Sequence, residues 1–344
     1  MRLLLTTNPG LEDVAAREAA ATMGARLVEE RRLHGRVVVE AGDDALGVVG
    51  RLRCIHRARI LLAEARVCGE EECLNDIRSV VESSGVDAYI NPWTSFAVRA
   101  ERSGSHRYTS MDIARVAGDA VIEAVRGRYG ARPQVNLDHP AVIVAVDVIA
   151  DTLYVSIELS GDMSWHRRGY RVYEHPAALK PSIASAMLYL TPVRDSRSVM
   201  DPMCGGGTIP IEAGHMLEDA ELLCMDVNRE YVRGAVLNAR AALLDKRIKF
   251  IHGDARRMHE YVDHVDYIVS NPPYGIRLGS PRAVRSLYRD FIAAASRVLT
   301  ERMTLITTEH RLVKMLAEEH GLKLVHERSV AHGNLWVKIL VLEA

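Results

Sequence analysis

Glutamine is almost missing from this 344-residue chain: Gln134 is the only one. Lysine is scarce as well, and arginine carries most of the positive charge. Few amides beside many charged groups are consistent with a hot habitat, where ion-pair networks hold well and amides are chemically labile. No apolar run reaches the roughly 20 residues of a membrane span. The opening Met1-Arg2-Leu3-Leu4-Leu5 gives way to Asn8-Pro9-Gly10 too early for a signal-peptide core. A cytoplasmic protein without membrane contact is therefore expected. A large charge of either sign is absent too: 44 Lys plus Arg face 45 Asp plus Glu, for a net charge of −1. That excludes a uniformly basic nucleic-acid binder, so any such site must be a local patch. The cysteines, Cys54, Cys68, Cys73, Cys204 and Cys224, form no C-x-x-C pair and have no histidine pair at zinc spacing nearby, so no metal is expected. They read as reduced and mostly buried thiols, with Cys68 and Cys73 near enough in sequence to cross-link.

At about 150 residues per domain the length suggests two domains, or three small ones. The first part reads as α+β: a strand over 3–7, a helix over 12–23, a strand over 35–40, a helix over 43–52 weakened by Gly47 and Gly50, and a strand over 59–67. A second α+β unit follows, with a helix over 74–83, an alternating strand over 95–100 and a long helix starting with Ser110 as its cap. Strands over 142–149 and 152–159 are joined by a tight turn at Ala150-Asp151. Beyond a break near 170–180, strands over 198–201, 222–226, 248–252, 267–270 and 303–307 alternate with helices. That pattern implies a mainly parallel sheet covered on both faces. The last strands, over 323–328 and 335–342, are separated only by Ala331-His332-Gly333-Asn334 and predict an antiparallel hairpin at the sheet edge.

Four motifs fall at strand ends. Asp201-Pro202-Met203-Cys204-Gly205-Gly206-Gly207-Thr208 joins a strand to a helix, and its glycines let backbone approach a ligand. It lacks the Gly-Lys-Ser/Thr of a phosphate loop, and Pro210 stands where G-x-G-x-x-G needs its third glycine, so a pyrophosphate ligand is disfavoured. Asp226, 21 residues beyond Gly205, can accept hydrogen bonds from both hydroxyls of a ribose. Gly253-Asp254-Ala255 can bring a carboxylate to an adenine amino group. Asn271-Pro272-Pro273-Tyr274-Gly275 is the most specific. Its prolines stiffen the turn and remove two donors, leaving the Asn271 amide oxygen and the Pro272 carbonyl as acceptors beside an aromatic ring. Paired acceptors suit an sp² amino group, a poor nucleophile whose nitrogen gains electron density when its N–H groups are held. Such a scheme relies on alignment rather than on a general base.

The glycine loop together with Asn271-Pro272-Pro273-Tyr274 resembles the class I methyltransferases that modify amino groups of nucleobases. Thr7-Asn8-Pro9-Gly10-Leu11-Glu12 resembles the N-terminal ferredoxin-like unit of THUMP-containing methyltransferases. Phe96-Ala97-Val98-Arg99-Ala100-Glu101-Arg102, His106-Arg107-Tyr108-Thr109-Ser110 and Val116-Ala117-Gly118 resemble the THUMP domain. Gly169-Tyr170-Arg171 and His175-Pro176-Ala177-Ala178-Leu179 resemble the linker and first helix of the methyltransferase part. Nearly the whole chain is covered. It is similar above all to the tRNA (guanine-N2)-methyltransferases acting at position 6 in archaea and bacteria; relatives acting at position 10 typically carry Asp before Pro-Pro-Tyr. Gly206 departs from the pattern, which more often has Ser or Thr there.

The resemblance implies an α/β fold, with a Rossmann-like class I methyltransferase domain of seven mainly parallel strands after ferredoxin-like and THUMP domains. The implied boundaries are 1–60, 61–165, a linker over 166–180, and 181–344. It implies S-adenosyl-L-methionine as methyl donor, held by His175, Pro176, Ala177, Leu179, Asp201, Pro202, Gly205, Gly207, Thr208, Asp226, Asp254, Ala255 and Asn271. Asn271, Pro272, Pro273 and Tyr274 would hold the target guanine, and tRNA would be the partner of a monomeric enzyme. Position 6 normally lies in a paired stem, so the guanine has to leave the stack. Candidate RNA contacts are Arg99, Arg102, Arg107, Tyr108, Arg167, Arg168 and Arg171, with Arg277 and Arg282 near the target turn. N2-methylation at position 10 or of rRNA, amino-methylation of DNA, and a non-catalytic RNA binder are the competing readings.

Overall fold

A computed structural model describes residues 1–275 and 281–344. The chain forms two compact units. One comprises Met1–Thr6, Ala19–Leu52 and His56–Trp165; the other comprises Thr7–Glu18, Arg53–Ile55 and His166–Ala344.

The first unit is built on β1 (Arg2–Thr6), the end of α1 (Glu12–Met23), β2 (Arg26–Arg31), β3 (Arg36–Glu40), β4 (Arg57–Arg66), α2 (Leu74–Ser83), β5 (Ser95–Ser103), α3 (Ser110–Tyr129), β6 (Gln134–Val135), β7 (Val142–Ile149) and β8 (Thr152–Glu158). All eight strands join one sheet in the order β2-β3-β1-β4-β8-β7-β5-β6. The boundary expected at 60/61 falls inside β4, which pairs antiparallel with β1 on one edge and β8 on the other. Ile77 and Val81 of α2 and Ile113, Ala117 and Val121 of α3 pack with Val144, Val146 and Val155 in the core of this unit. Buried charges fix the strand register: Asp147 on β7 accepts from Arg36 on β3 and Arg59 on β4, both at 2.7 Å. An ion pair so deeply buried is worth little as net stability but penalises a slipped register, which would strand its charges.

Three local expectations differ here. The stretch over 43–52 forms two short 3-10 turns, Asp43–Gly47 and Val49–Arg51, split at Val48 (φ −121°), because its glycines are poor helix formers. The cap of α3 is Thr109, not Ser110: Thr109 and Asp112 exchange side-chain and backbone bonds as a capping box. Strands β2 and β6 carry no hydrophobic alternation and are visible only once their partners are in place.

The second unit contains α4 (Pro181–Leu190), β9 (Ser198–Asp201), α5 (Thr208–Met216), β10 (Glu221–Asp226), α6 (Arg229–Ala241), β11 (Ile248–His252), β12 (Val265–Ser270), α7 (Pro281–Val298), β13 (Leu299–Thr307), α8 (His310–Glu319), β14 (Lys323–His332) and β15 (Leu335–Glu343). Its sheet runs β11-β10-β9-β12-β13-β15-β14. The first five strands are parallel; β15 lies antiparallel between β13 and β14, and β14-β15 is the expected edge hairpin. Adjacent residues of β9 feed opposite faces: Val199 joins the core under α4 and α5, and Met200 the core under α7 and α8. Strand order reverses between β9 and β12, and a crevice opens at the carboxyl ends of strands at such a reversal.

The N-terminal segment of this unit is tied in by polar groups. Asn8 Nδ2 donates to the carbonyl of Ala331, and Ser182 Oγ donates to Asn8 Oδ1. Buried Glu212 on α5 accepts from Arg53 Nε (2.6 Å), Arg168 Nε (3.3 Å), Ser185 Oγ (2.7 Å) and Tyr170 Oη (2.7 Å). The cysteines depart from the reduced thiols expected of the sequence: Cys68 pairs with Cys73 and Cys204 with Cys224 as disulfides, and Cys54 is free and buried. No helix among the described residues is long and apolar enough to cross a membrane.

Candidate active site

A cavity of about 750 Å³ opens in the second unit, lined by the loops that follow β9, β10, β11 and β12. The loop after β9 turns sharply, with Gly205 (φ +51°) and Gly207 (φ +78°) in the left-handed region that disfavours a side chain. A Cβ on Gly205 would come within 3.3 Å of the His175 ring, and one on Gly207 within 3.0 Å of Ala235 Cβ. Gly205, Pro202 and Thr208 line the cavity. Gly207 serves instead as the close contact between the loop and α6 and as the N-cap of α5.

Asp226 ends β10 and is almost wholly buried. Its Oδ2 accepts from the backbone N–H of Gly205 at 2.9 Å and its Oδ1 from that of Asn228 at 2.9 Å. These bonds aim the carboxylate across the glycine loop and leave each oxygen a further lone pair for a ligand hydroxyl. Asp254 caps the short turn after β11 and, with Ala255, borders the cavity. Arg256 holds the Asp254 carboxyl below its ordinary value through a hydrogen bond. Asp201 is buried at the end of β9, where its Oδ1 accepts from Ser270 Oγ (2.7 Å) and Met203 N–H (3.1 Å). Burial outweighs those bonds and pushes its pKa up to about 7.

The turn after β12 faces the same cavity. Asn271 Nδ2 donates to the carbonyl of Ala177 at 3.4 Å, and Asn271 Oδ1 accepts from Tyr274 Oη at 2.6 Å. The amide is thereby fixed with its oxygen available and one lone pair remaining. Pro272 is buried, Pro273 is half-buried, and the Tyr274 ring packs on the core while burial drives its hydroxyl far above the usual range. Tyr274 is therefore a neutral wall of the cavity.

His175, Ala177 and Leu179 close the cavity, whereas Pro176 is exposed and does not line it. His175 Nδ1 accepts from the Ala177 N–H at 3.2 Å, which places the ring proton on Nε2. Burial pushes the imidazole pKa down, and the ring meets Tyr231 edge-on at 4.3 Å. Its buried Nε2 has no partner. A buried donor without a partner is costly unless a ligand completes it. This orphaned donor, the side-chain-free approach at Gly205 and the open lone pairs of Asp226 fit a nucleoside carrying an amino-acid tail.

Other lining residues escaped the sequence reading. Lys180 follows the recognised 175–179 stretch by one residue. Tyr231 and Leu287 come from helices, and His332 to Leu335 come from the tip of the β14-β15 hairpin. The hairpin was legible, but its register over the cavity depends on β15 entering between β13 and β14, which no local pattern encodes.

The candidate RNA contacts are dispersed. In the first unit Arg102 and Arg107 are exposed and Arg99 is half-buried, with Arg99 paired to Asp162 and Arg107 to Glu70. Tyr108 differs: it is buried, and its hydroxyl donates to the Cys68 carbonyl, so its ring is core rather than surface. In the second unit Arg167 and Arg282 are exposed. Arg168 belongs to the Glu212 cluster, and Arg171 pairs with Glu174. Arg277 lies outside the described residues. No group of His, Cys, Asp and Glu among the described residues could hold a metal.

Two family models match the chain: a THUMP domain over residues 72–158 and an RMKL-like methyltransferase domain over 168–338. Proteins named tRNA (guanine(6)-N2)-methyltransferase are similar along the full length. The one from Archaeoglobus fulgidus is 38% identical, covering 99% of this chain and 92% of its own. The one from Methanocaldococcus jannaschii is 35% identical, covering 99% and 100%. The crystal structure of TrmN from Thermus thermophilus superposes with a TM-score of 0.79 at 30% identity, over 99% of both chains.

Proposed function

We propose a catalytic role from one premise: the chain belongs to the tRNA (guanine(6)-N2)-methyltransferase family. It transfers the methyl group of S-adenosylmethionine to the exocyclic N2 amino group of a guanosine in tRNA, the one at position 6 in the acceptor stem. The observation that carries this reading is the common cavity. The fixed amide of Asn271 and the glycine loop after β9 open onto the same space.

The donor, when bound, supplies a methyl group on a sulfonium, already activated for displacement. The chain's residues do the rest by holding and aligning. Asp226 takes the ribose hydroxyls, Asp254 and Ala255 border the adenine, and Gly205, Asp201 and the Nε2–H of His175 receive the amino-acid end. Pro202, Thr208, Ala177 and Leu179 complete that wall. Asn271 Oδ1 and the Pro272 carbonyl accept the two N–H groups of the guanine amine, raising electron density on nitrogen as the methyl approaches. Pro273 stiffens the turn, and Tyr274 offers its face to the base. The enzyme acts as a monomer. Recognition of the tRNA falls to the THUMP domain and to arginines such as Arg99, Arg102, Arg107, Arg167 and Arg282, which match phosphates through their planar forks.

The test is nucleoside mass spectrometry of tRNA after incubation with labelled donor. N2-methylguanosine mapping to position 6 is expected, with no transfer to duplex DNA. Asn271→Ala should lower turnover by about 10²- to 10³-fold while donor binding by calorimetry is retained. Normal turnover in that variant, or methyl groups on adenine, would remove the basis of the assignment.

A further inference from the structure

Lys180 stands at the N-cap of α4 and lines the cavity. Among the described residues no hydrogen bond or ion pair reaches its ammonium, and burial alone acts on it, pushing its pKa down. The residues outside the description, Ile-Arg-Leu-Gly-Ser over 276–280, contain no carboxylate that could neutralise it. Its place in the cavity is fixed from both sides. The Ala177 carbonyl, three residues before it, accepts from Asn271. Two residues after it, Ser182 bonds Asn8, and Asn8 bonds Ala331 at the root of the hairpin tip. Lys180 thus lines the same cavity as the Asn-Pro-Pro-Tyr turn and the 332–335 tip.

A half-buried ammonium without a partner is unfavourable, and in a cavity it marks the place of a ligand acceptor. The acceptors of the turn leave a chemical gap that this donor fills. Asn271 Oδ1 and the Pro272 carbonyl can take the N–H groups of any exocyclic amine, whether of guanine, adenine or cytosine. Guanine differs from adenine in presenting a carbonyl oxygen, O6, on the same edge as its 2-amino group. We propose that Lys180 selects guanine over adenine by donating from its ammonium to O6 of the flipped base. The proposal rests on the methyl-transfer reading above and names the specificity-determining residue of the same site.

The experiment compares the full chain with Lys180→Met and Lys180→Arg on tRNA carrying either guanosine or 2-aminopurine at the methylated position. 2-Aminopurine keeps the 2-amino group and lacks O6. The unaltered protein should prefer guanosine over 2-aminopurine by about 10- to 100-fold in kcat/KM. Lys180→Met should lose a similar factor on guanosine and nothing further on 2-aminopurine. Lys180→Arg should recover part of the preference. Donor affinity by calorimetry and the melting temperature should stay unchanged. Equal losses on both bases, or no loss on either, would overturn the proposal. So would a loss of donor affinity, which would assign the ammonium to the donor's carboxylate instead. Failure of the unaltered protein to methylate guanosine at all would instead refute the function from which the proposal starts.

Discussion

Tyr274 Oη donates to Asn271 Oδ1 across 2.6 Å. The bond sets which end of the amide faces the base, because the Nδ2 end is already committed to the Ala177 carbonyl. Tyr274→Phe should leave the ring wall intact and release the amide to rotate. The expected result is a fall of about 2- to 10-fold in kcat with KM for the donor unchanged. Tyr274→Ala should fall further, since it also removes the surface on which the base rests. Steady-state kinetics on tRNA check both; a Phe variant as fast as the parent would show that the amide is oriented by Ala177 alone.

Glu212 bears on stability rather than chemistry. Burial raises its pKa, but Arg168 and Arg53 outweigh that and hold it below the ordinary 4.5. A carboxylate with a depressed folded pKa contributes stability that is present above 4.5 and lost as pH falls through the folded value. Glu212→Ala leaves two guanidinium groups facing a void and should cost about 3–5 kcal/mol in chemical denaturation. The acid limb of the stability profile should flatten in the variant. A cost near zero would mean that the arginines find other partners.

Two neighbouring glycines should separate under substitution. Gly207 has φ +78°, and its added Cβ would press on Ala235 at 3.0 Å; Gly206 has ordinary φ, and its Cβ would meet Asn238 Nδ2 at 3.3 Å. Gly207→Ala should destabilise by about 1–2 kcal/mol, and Gly206→Ala by less, since its backbone is not in the left-handed region. Melting curves of the two variants decide it, and equal costs would place the strain elsewhere in the loop.

The legible part of this protein is the part written in local pattern. The parallel strands betrayed themselves by apolar runs spaced by helices, and β9 and β11 have the bounds expected. Asp201, Asp226, Asp254 and Asn271 were legible as cavity-lining candidates because each stands at or just beyond a strand end, and the sheet gathers strand ends into one crevice. Long-range geometry was not legible. Arg168 reads as a surface cation until Glu212, 44 residues on, is seen buried beneath it. Tyr108 lies in a basic stretch, yet the Cys68 carbonyl draws it inward. His332 to Leu335 reach the cavity only through the order in which β14 and β15 join the sheet. Lys180 carries no motif, and its isolation from carboxylates is a property of the folded cavity alone.

Asp201 supplies a test of how that cavity receives charge. Burial raises its pKa from the ordinary 3.8 to about 7, against the opposing bonds from Ser270 and Met203 and with a further push from Asp226. A carboxyl whose folded pKa is raised binds a proton in the native state that the unfolded chain has released. Its contribution to stability is therefore full below 3.8 and disappears as pH rises toward about 7. Binding of a donor that carries an ammonium and a sulfonium favours the ionised form, so donor binding near neutral pH should expel that proton. Calorimetry in buffers of different ionisation heat should show proton release between about pH 6 and 7, and donor affinity should increase with pH across the same window. Asp201→Asn should abolish the proton release and flatten the pH dependence while preserving the fold. Donor binding that is pH-independent in the parent, or a proton release that persists in the variant, would show that Asp201 is not the group that gives up a proton to the donor.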